Sequence, residues 1–321
     1  MPAHAHPGQR HALRAAYGFA CLLLAALALT PSAALACACG CGVFDVGAST
    51  VFPNDGDHGV AVWTRFGSID QTRNWSATRS APVENNSDRK IRTQFYTVGA
   101  QYMIDNNWGV MAELPMAHRN FTSTNDDGNL TRSVTTGIGD LMILGMYTGF
   151  SDDGSTGLLF GFSLPTGQFN ANGFDRDTQI GTGATQAILG GYHLGGLNAD
   201  NSLAYYVQAR YQVAVAIQDH YHPGSEAFVV GGLTYNLGEW GPFSRIAPVV
   251  QAIYQHRESD QGANAYPGDT GFNRVLMGPG LDLRAGRFRL FTDVSFPVHQ
   301  WVRGNQLVSS VIYKAQLGYL F

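Results

Sequence analysis

From Gly59 to the C-terminus the chain is a succession of segments in which apolar and polar residues alternate. Alternation with a period of two places successive side chains on opposite faces of an extended strand. On that reading strands are expected at 59–70, 91–104, 108–120, 137–150, 157–166, 179–193, 202–216, 226–237, 245–257, 271–284, 287–299 and 307–321, about twelve in all. The segments between them fall into two classes. Short gaps lie at 105–107, 151–156, 194–201, 238–244 and 285–286. Long or polar ones lie at 71–90, 121–136, 167–178, 217–225, 258–270 and 300–306.

Strict alternation of short and long connections is the pattern of transmembrane β-barrels, with short turns at one rim and long loops at the other. A soluble sandwich has no reason to sort its loops in this way. Each expected strand is long enough to cross a bilayer at a tilt. Charged residues make up only 14% of the sequence, where a soluble domain has about a quarter. The near-neutral net charge of −4 excludes a basic nucleic-acid footprint. The expected fold is therefore all-β: an antiparallel transmembrane barrel of about twelve strands over residues 59–321, with both termini at the periplasmic rim. Pro115, Pro165, Pro248, Pro279 and Pro297 each remove a ladder donor and are expected at bulges or bends.

Both ends of the sequence agree. Residues 1–36 have a polar start with Arg10 and Arg14, an apolar run from Tyr17 to Thr30, and small residues at Ala34 and Ala36. This is the pattern of a cleaved secretory signal peptide. The last stretch, Gln306 to Phe321, places Val311, Tyr313, Ala315, Leu317, Tyr319 and Phe321 on one face and Lys314 and Gln316 on the other. A final strand ending on an aromatic carboxy terminus resembles that of bacterial outer-membrane barrels, which the assembly machinery reads as a signal. Outer-membrane lipid, lipopolysaccharide and that machinery are the expected partners, and the Gram-negative outer membrane is the expected location.

Lumen-facing residues follow from the same periodicity. In 202–216, Tyr206, Gln208, Arg210 and Gln212 oppose an apolar face. In 271–284, Arg274, Asp282 and Arg284 point inward. In 287–299, Arg287, Arg289, Phe291, Asp293, Ser295 and His299 do so. With Lys314, Gln251, Gln255 and Asp140, these give a mixed polar lining suited to small polar or weakly amphipathic solutes. Asp140 reads either as a substrate contact or as a satisfied carboxylate in a turn at the rim. Twelve strands should leave a narrow lumen, partly blocked by side chains or by an N-terminal segment. No nucleophile–base set, phosphate loop or carboxylate pair stands out, so a non-enzymatic channel is expected.

The order Thr136-Gly137-Ile138-Gly139-Asp140-Leu141, then Leu164-Pro165-Thr166-Gly167, then Asp175-Arg176-Asp177 leading into Gly181-Thr182-Gly183 resembles the outer-membrane proteins called phenol meta-pathway transporters. These are distant in style from the fatty-acid and toluene channels. The resemblance spans about residues 91–321. It implies a small barrel with an uptake role, for solutes that include aromatic ones.

One feature stands apart. Cys37-Ala38-Cys39-Gly40-Cys41 would open the mature chain, within a segment 37–58 that reads as a plug or a periplasmic tether. Alternating thiolates suit Cu(I) or Zn²⁺, so Cys37, Cys39 and Cys41 are candidate metal ligands. A redox or tethering role, lipidation of Cys37, and no role beyond the cleavage region are the other readings. A barrel that anchors this segment is the alternative to a transporter. His220 and His222, and the acidic pairs Asp126-Asp127 and Asp175/Asp177, are weaker cation candidates in loops.

Overall fold

The computed structural model describes residues 59–125 and 127–321. The expected signal peptide, the 37–58 segment with Cys37, Cys39 and Cys41, and Asp126 lie outside these residues. The strands are β1 (Val60–Ala77), β2 (Arg79–Ser80), β3 (Asp88–Met103), β4 (Trp108–Thr124), β5 (Leu130–Ile138), β6 (Leu141–Tyr147), β7 (Thr156–Leu164), β8 (Ala184–Gly196), β9 (Leu203–Ile217), β10 (Tyr221–His222), β11 (Glu226–Tyr235), β12 (Arg245–Arg257), β13 (Gln261–Gly262), β14 (Phe272–Ala285) and β15 (Phe288–Leu320).

Thirteen of these form one sheet, and β10 pairs with β13 apart from it. Chain neighbours pair antiparallel around the sheet, and β1 bonds both to β3 (Ala61↔Gln101) and to β15 (Ala61↔Leu320), which closes the ring. Closure gives the strands of the ring a neighbour on both sides, while β2 and β5 each pair with one strand only. Eleven continuous strands make the ring: β1, β3, β4, β6, β7, β8, β9, β11, β12, β14 and β15. The 33-residue β15 doubles back on itself. Its first arm pairs with β14 and its second with β1, and Thr292 Oγ1 donates to the Lys314 carbonyl at 2.9 Å. The reversal uses Gly304, at φ +62°, where a residue without Cβ meets no steric penalty. The two expected strands 287–299 and 307–321 are thus one run, and the wall is twelve staves wide. Antiparallel closure requires such an even number.

Several expected loops are shorter than their polarity suggested. β1 and β3 run up to Ala77 and down from Asp88 through the expected loop 71–90. β4 and β5 pair through Thr124↔Leu130 within the expected loop 121–136. Residues 300–306 are strand throughout. Polarity there marks ladders that extend past the apolar band, not the absence of a ladder. Conversely, 179–183 belongs to a loop, and the expected strand 137–150 is interrupted at Gly139–Asp140 between β5 and β6.

The prolines follow a rule other than bulging. Pro115 faces that same interruption, because β4 pairs with β6 only as far as Glu113 and with β5 only from Met116. Pro248 lies beyond the last β11 pair, Thr234↔Val249. Pro165 follows the end of β7. Pro279 falls in a gap of the β14–β15 register. Each stands where one neighbour's ladder is missing, so no donor is lost. Only Pro297 sits at a register shift, beside Val275/Leu276. That shift reverses the side-chain phase and leaves His299 exposed rather than inward.

The outer face is apolar and exposed, as at Val98, Val250 and Val298, while lumen residues such as Gln251, Gln255 and Lys314 are buried. At the rim where β1 begins and β15 ends, aromatic side chains meet at tilted and edge-on angles. Trp108 lies 4.7 Å from Tyr147, and Phe288 and Phe321 each lie 4.8 Å from Tyr319.

Candidate functional site: two lumenal chambers

Apolar residues fill the middle of the lumen. Ile69, Phe95, Phe228, Ile253, Leu276 and Ile312 form one buried cluster together with Ala117, Tyr206, Val249 and Phe291. A chamber lies on each side of it. Ala117 of the cluster and Ile180, packed against it, border the loop-end chamber, and Tyr206, Val249 and Phe291 border the terminal-end chamber. The cluster is thus a septum between the two.

The loop-end chamber, about 150 Å³, mixes apolar walls (Met142, Ile188) with Glu113, Asp140, Arg210, Gln212 and Glu226. Its roof is the 165–183 connection, which folds inward between β7 and β8. Arg119, 2% exposed on β4, reaches the carbonyls of Thr178 and Gln179 and donates from Nε to Thr93 Oγ1 at 3.0 Å. Phe174 stacks on Phe121 with centroids 5.8 Å apart.

Asp140 ties both ends of this loop. Its Oδ1 accepts from the Gly167 amide at 2.9 Å, and its Oδ2 accepts from the Thr182 amide at 2.8 Å and hydroxyl at 2.6 Å. Thr166 Oγ1 accepts from the Leu141 amide at 2.9 Å. Of the two sequence readings of Asp140, the satisfied carboxylate is the one the geometry matches. The three glycine-containing motifs meet here, and their glycines permit the approach. A Cβ on Gly181 would lie 2.5 Å from the Gly167 carbonyl carbon.

Arg176 projects from the loop between two rings, its Cζ 4.9 Å from the Phe169 centroid and 4.2 Å from that of Tyr221. Its Nη2 donates to the Thr182 carbonyl, while Nε and Nη1 have no hydrogen-bond partner. Burial pushes its pKa down, opposed by Tyr221 and Asp219. Burial pushes the neighbouring Asp175 carboxyl up. Tyr221 donates to Asp260 Oδ2 at 2.6 Å, and burial, then the Asp260 charge, pushes its phenol well above its usual range. Asp260 also accepts from the Gly224 amide at 2.8 Å and from Arg257 at 2.6 Å. The β10–β13 pair is thereby pinned over the mouth.

The terminal-end chamber, about 360 Å³, is lined by Arg245, Arg284 and Arg289 with Asp282, Asp153 and Tyr205. The expected lining residues therefore divide. Arg210, Gln212 and Asp140 border the first chamber, and Arg284 and Arg289 the second. Gln208, Asp293 and Lys314 border neither: all three are buried in the wall, the last two as an ion pair at 3.1 Å. Gln251 and Gln255 are also packed rather than open, Gln251 accepting from the Tyr206 hydroxyl at 2.7 Å. His220 and His222 are exposed on either side of buried Tyr221, and no cluster of three metal-ligating side chains occurs among the described residues. Sequence reasoning passed over Glu113, Glu226 and Arg257, whose inward strand positions signalled them. It named Arg176 only within the Asp175-Arg176-Asp177 motif and gave no role to Tyr221 or Asp260, whose loops gave no such signal.

No protein-family model and no curated protein matches the chain. Solved structures do. The COG4313 outer membrane channel from Pseudomonas putida F1 superposes with a TM-score of 0.65 at 11% identity, over 86% of this chain and 100% of that one. The transport unit of the autotransporter AIDA-I from Escherichia coli gives 0.49 at 10% identity, over 87% and 93% of the two chains. A Pseudomonas aeruginosa FadL homologue gives 0.40 at 9%, over 82% and 90%. The first of these carries the assignment: the chain has the closed-barrel fold of an outer-membrane channel.

Proposed function

We propose that the protein is a non-enzymatic outer-membrane channel that passes small amphipathic solutes, aromatic ones among them, by diffusion from the loop-end chamber to the terminal-end chamber. The observation that carries this is the pair of mixed polar and apolar chambers stacked along one lumen behind an exposed apolar belt. An apolar belt on a closed barrel suits lipid, and the aromatic clusters around Tyr147 and Tyr319 suit its interface. The likeness to the P. putida channel supports the class, and the resemblance of the 136–183 motifs to phenol meta-pathway transporters supports the solute. On this reading the buried cluster acts as the barrier between the chambers, and passage requires movement of Phe228, Phe291 and their neighbours.

The test is solute-driven swelling of liposomes carrying the purified barrel, with phenol as the probe. The Phe228→Ala/Phe291→Ala variant should raise the swelling rate several-fold. No swelling with either protein, both being folded, sinks the channel reading.

The packed septum favours one second reading, a barrel that anchors the Cys37–Cys41 segment and passes little. Copper and zinc content of the purified protein, beside a Cys37/Cys39/Cys41→Ser triple variant, decides it. Stoichiometric metal lost in the variant supports the anchor, and equal, sub-stoichiometric metal in both removes it.

A further inference from the structure

The outer face of β1, β3, β4 and β5 can be followed toward the loops in cross-strand rows. Phe66, Tyr96, Met116 and Ile138 stand in register as one row. Tyr96, Met116 and Ile138 are exposed, and the rings of Phe66 and Tyr96 lie 5.3 Å apart, so this row still belongs to the apolar belt. Two residues further on, the row is Ser68, Gln94, His118 and Thr136, polar throughout. In the next, Asp70 stands opposite Arg92 and Arg92 opposite Asn120. In the last, Lys90 stands opposite Thr122 and Thr122 opposite Arg132. From Tyr96 to Arg92 the wall changes from apolar to charged within about 13 Å of strand, and less along the membrane normal, because barrel strands tilt.

In these two charged rows three cations share one carboxylate. Asp70 Oδ2 accepts from Arg92 Nη2 at 2.5 Å and lies 3.4 Å from Lys90 Nζ, yet the side chains of Arg92 and Lys90 stay 53% and 43% exposed. Arg132 is exposed and donates to Asn120 Oδ1 at 2.7 Å, with no carboxylate partner among the described residues. Asp127 lies further out, in the turn beyond the last β4–β5 pair, Thr124↔Leu130. Lys90, Arg92 and Arg132 against Asp70 therefore give the band a positive balance. Exposed ion pairs add little to stability, so the wall gains little from gathering these cations for its own sake.

We infer that this band is a binding site for the phosphorylated sugar headgroup of a glycolipid of the lipopolysaccharide type, with Arg92 and Arg132 as the phosphate contacts and Lys90 beside them. Guanidinium forks match phosphate oxygens in geometry as well as charge. The long stems of these side chains carry their charge to the headgroup level beside the belt. A lipid places acyl chains against the Phe66–Tyr96 row and an anionic head above it, whereas a free anion would engage the cations alone. The inference rests on the outer-membrane reading for the loop rim facing outward, and not on solute passage.

The experiment is native mass spectrometry of the folded, detergent-solubilised barrel titrated with diphosphoryl lipid A, and with monophosphoryl lipid A as the analogue of lower charge. The diphosphoryl lipid should bind several-fold more tightly. The Arg92→Gln/Arg132→Gln variant keeps the Lys90–Asp70 pair, so the barrel should still fold, as gel mobility before and after heating reports. It should weaken diphosphoryl lipid A at least tenfold. Arg303→Gln removes an exposed arginine at the β15 reversal, outside the band, and should leave binding unchanged. Absence of lipid A binding, equal binding of the two lipids by the wild type, or an effect of Arg303→Gln equal to that of the double variant overturns the inference. Liposome swelling on the same proteins keeps the two readings apart. Arginine-dependent lipid A binding by a barrel that passes no solute retains the site and removes the channel. Solute passage by a barrel whose lipid A affinity ignores Arg92 and Arg132 does the reverse.

Discussion

The turns at Gly139-Asp140, Thr166-Gly167 and Gly181-Thr182 come within hydrogen-bonding distance of one another through a single carboxylate. Charge-assisted bonds of this kind are worth roughly 1.5–3 kcal/mol each, enough to hold a long loop by its two ends. Close backbone approach explains why glycines flank the carboxylate. Gly181→Ala would press a methyl against the Gly167 backbone, where overpacking costs about 1–3 kcal/mol. The variant is expected to assemble as a barrel but to be cleaved by added protease within 165–183 faster than wild type. Equal cleavage rates would mean that the knot does not hold the loop. Lys314 and Asp293 make the same kind of point from the wall. A strand position that reads as lumenal is satisfied by a buried partner, so a charge facing inward is not by itself a charge facing solute.

At the scale of elements, the 165–183 connection is a roof because β4 reaches it. Arg119 occupies an inward position of β4, and its guanidinium ends on two loop carbonyls. Replacing it with Met keeps the length and removes the donors. The unpaired carbonyls of Thr178 and Gln179 then cost roughly 1–3 kcal/mol each, and the loop is expected to lift. Arg119→Met should therefore raise solute flux in liposome swelling while barrel stability, read from gel mobility before and after heating, changes little. Unchanged flux would show that the roof does not limit passage. The hairpin within β15 belongs to the same scale. Its Gly304 reversal turns one uninterrupted alternating run into two staves.

For the whole molecule, closure depends on β1 meeting the second arm of β15 from Ala61↔Leu320 onward. Phe321 caps this seam. Its amide donates to the Val60 carbonyl at 2.9 Å and its ring packs on Tyr319. Phe321→Ser is expected to lower the amount of heat-modifiable, folded barrel recovered from membranes, because the seam loses the ring that packs on Tyr319. Full recovery would assign the terminus no part in assembly. The septum is likewise a property of the whole. Ile69, Phe228, Ile253 and Ile312 come from four different strands, and none of them stands out in its own segment.

Much of this was readable from residue order alone. Period-two alternation is imposed by the strand itself, so the all-β class and the succession of antiparallel strands follow from local sequence. Strand ends were less legible, because polar residues mark water and not the end of a ladder, and the phase slip at Pro297 reversed His299. Which inward residues border open space was not legible at all. The sequence by itself determined that the strands would carry an apolar face and a more polar one, since that depends on neighbours one or two residues apart, whereas closure depends on β1 meeting the second arm of β15. Only the tertiary structure decided that the lumen is divided, that a distant loop roofs it, and that cations of β3 and β5 share one band of the outer wall. Those outcomes depend on the register between strands and on loops meeting across the barrel, and neither is encoded in any single segment.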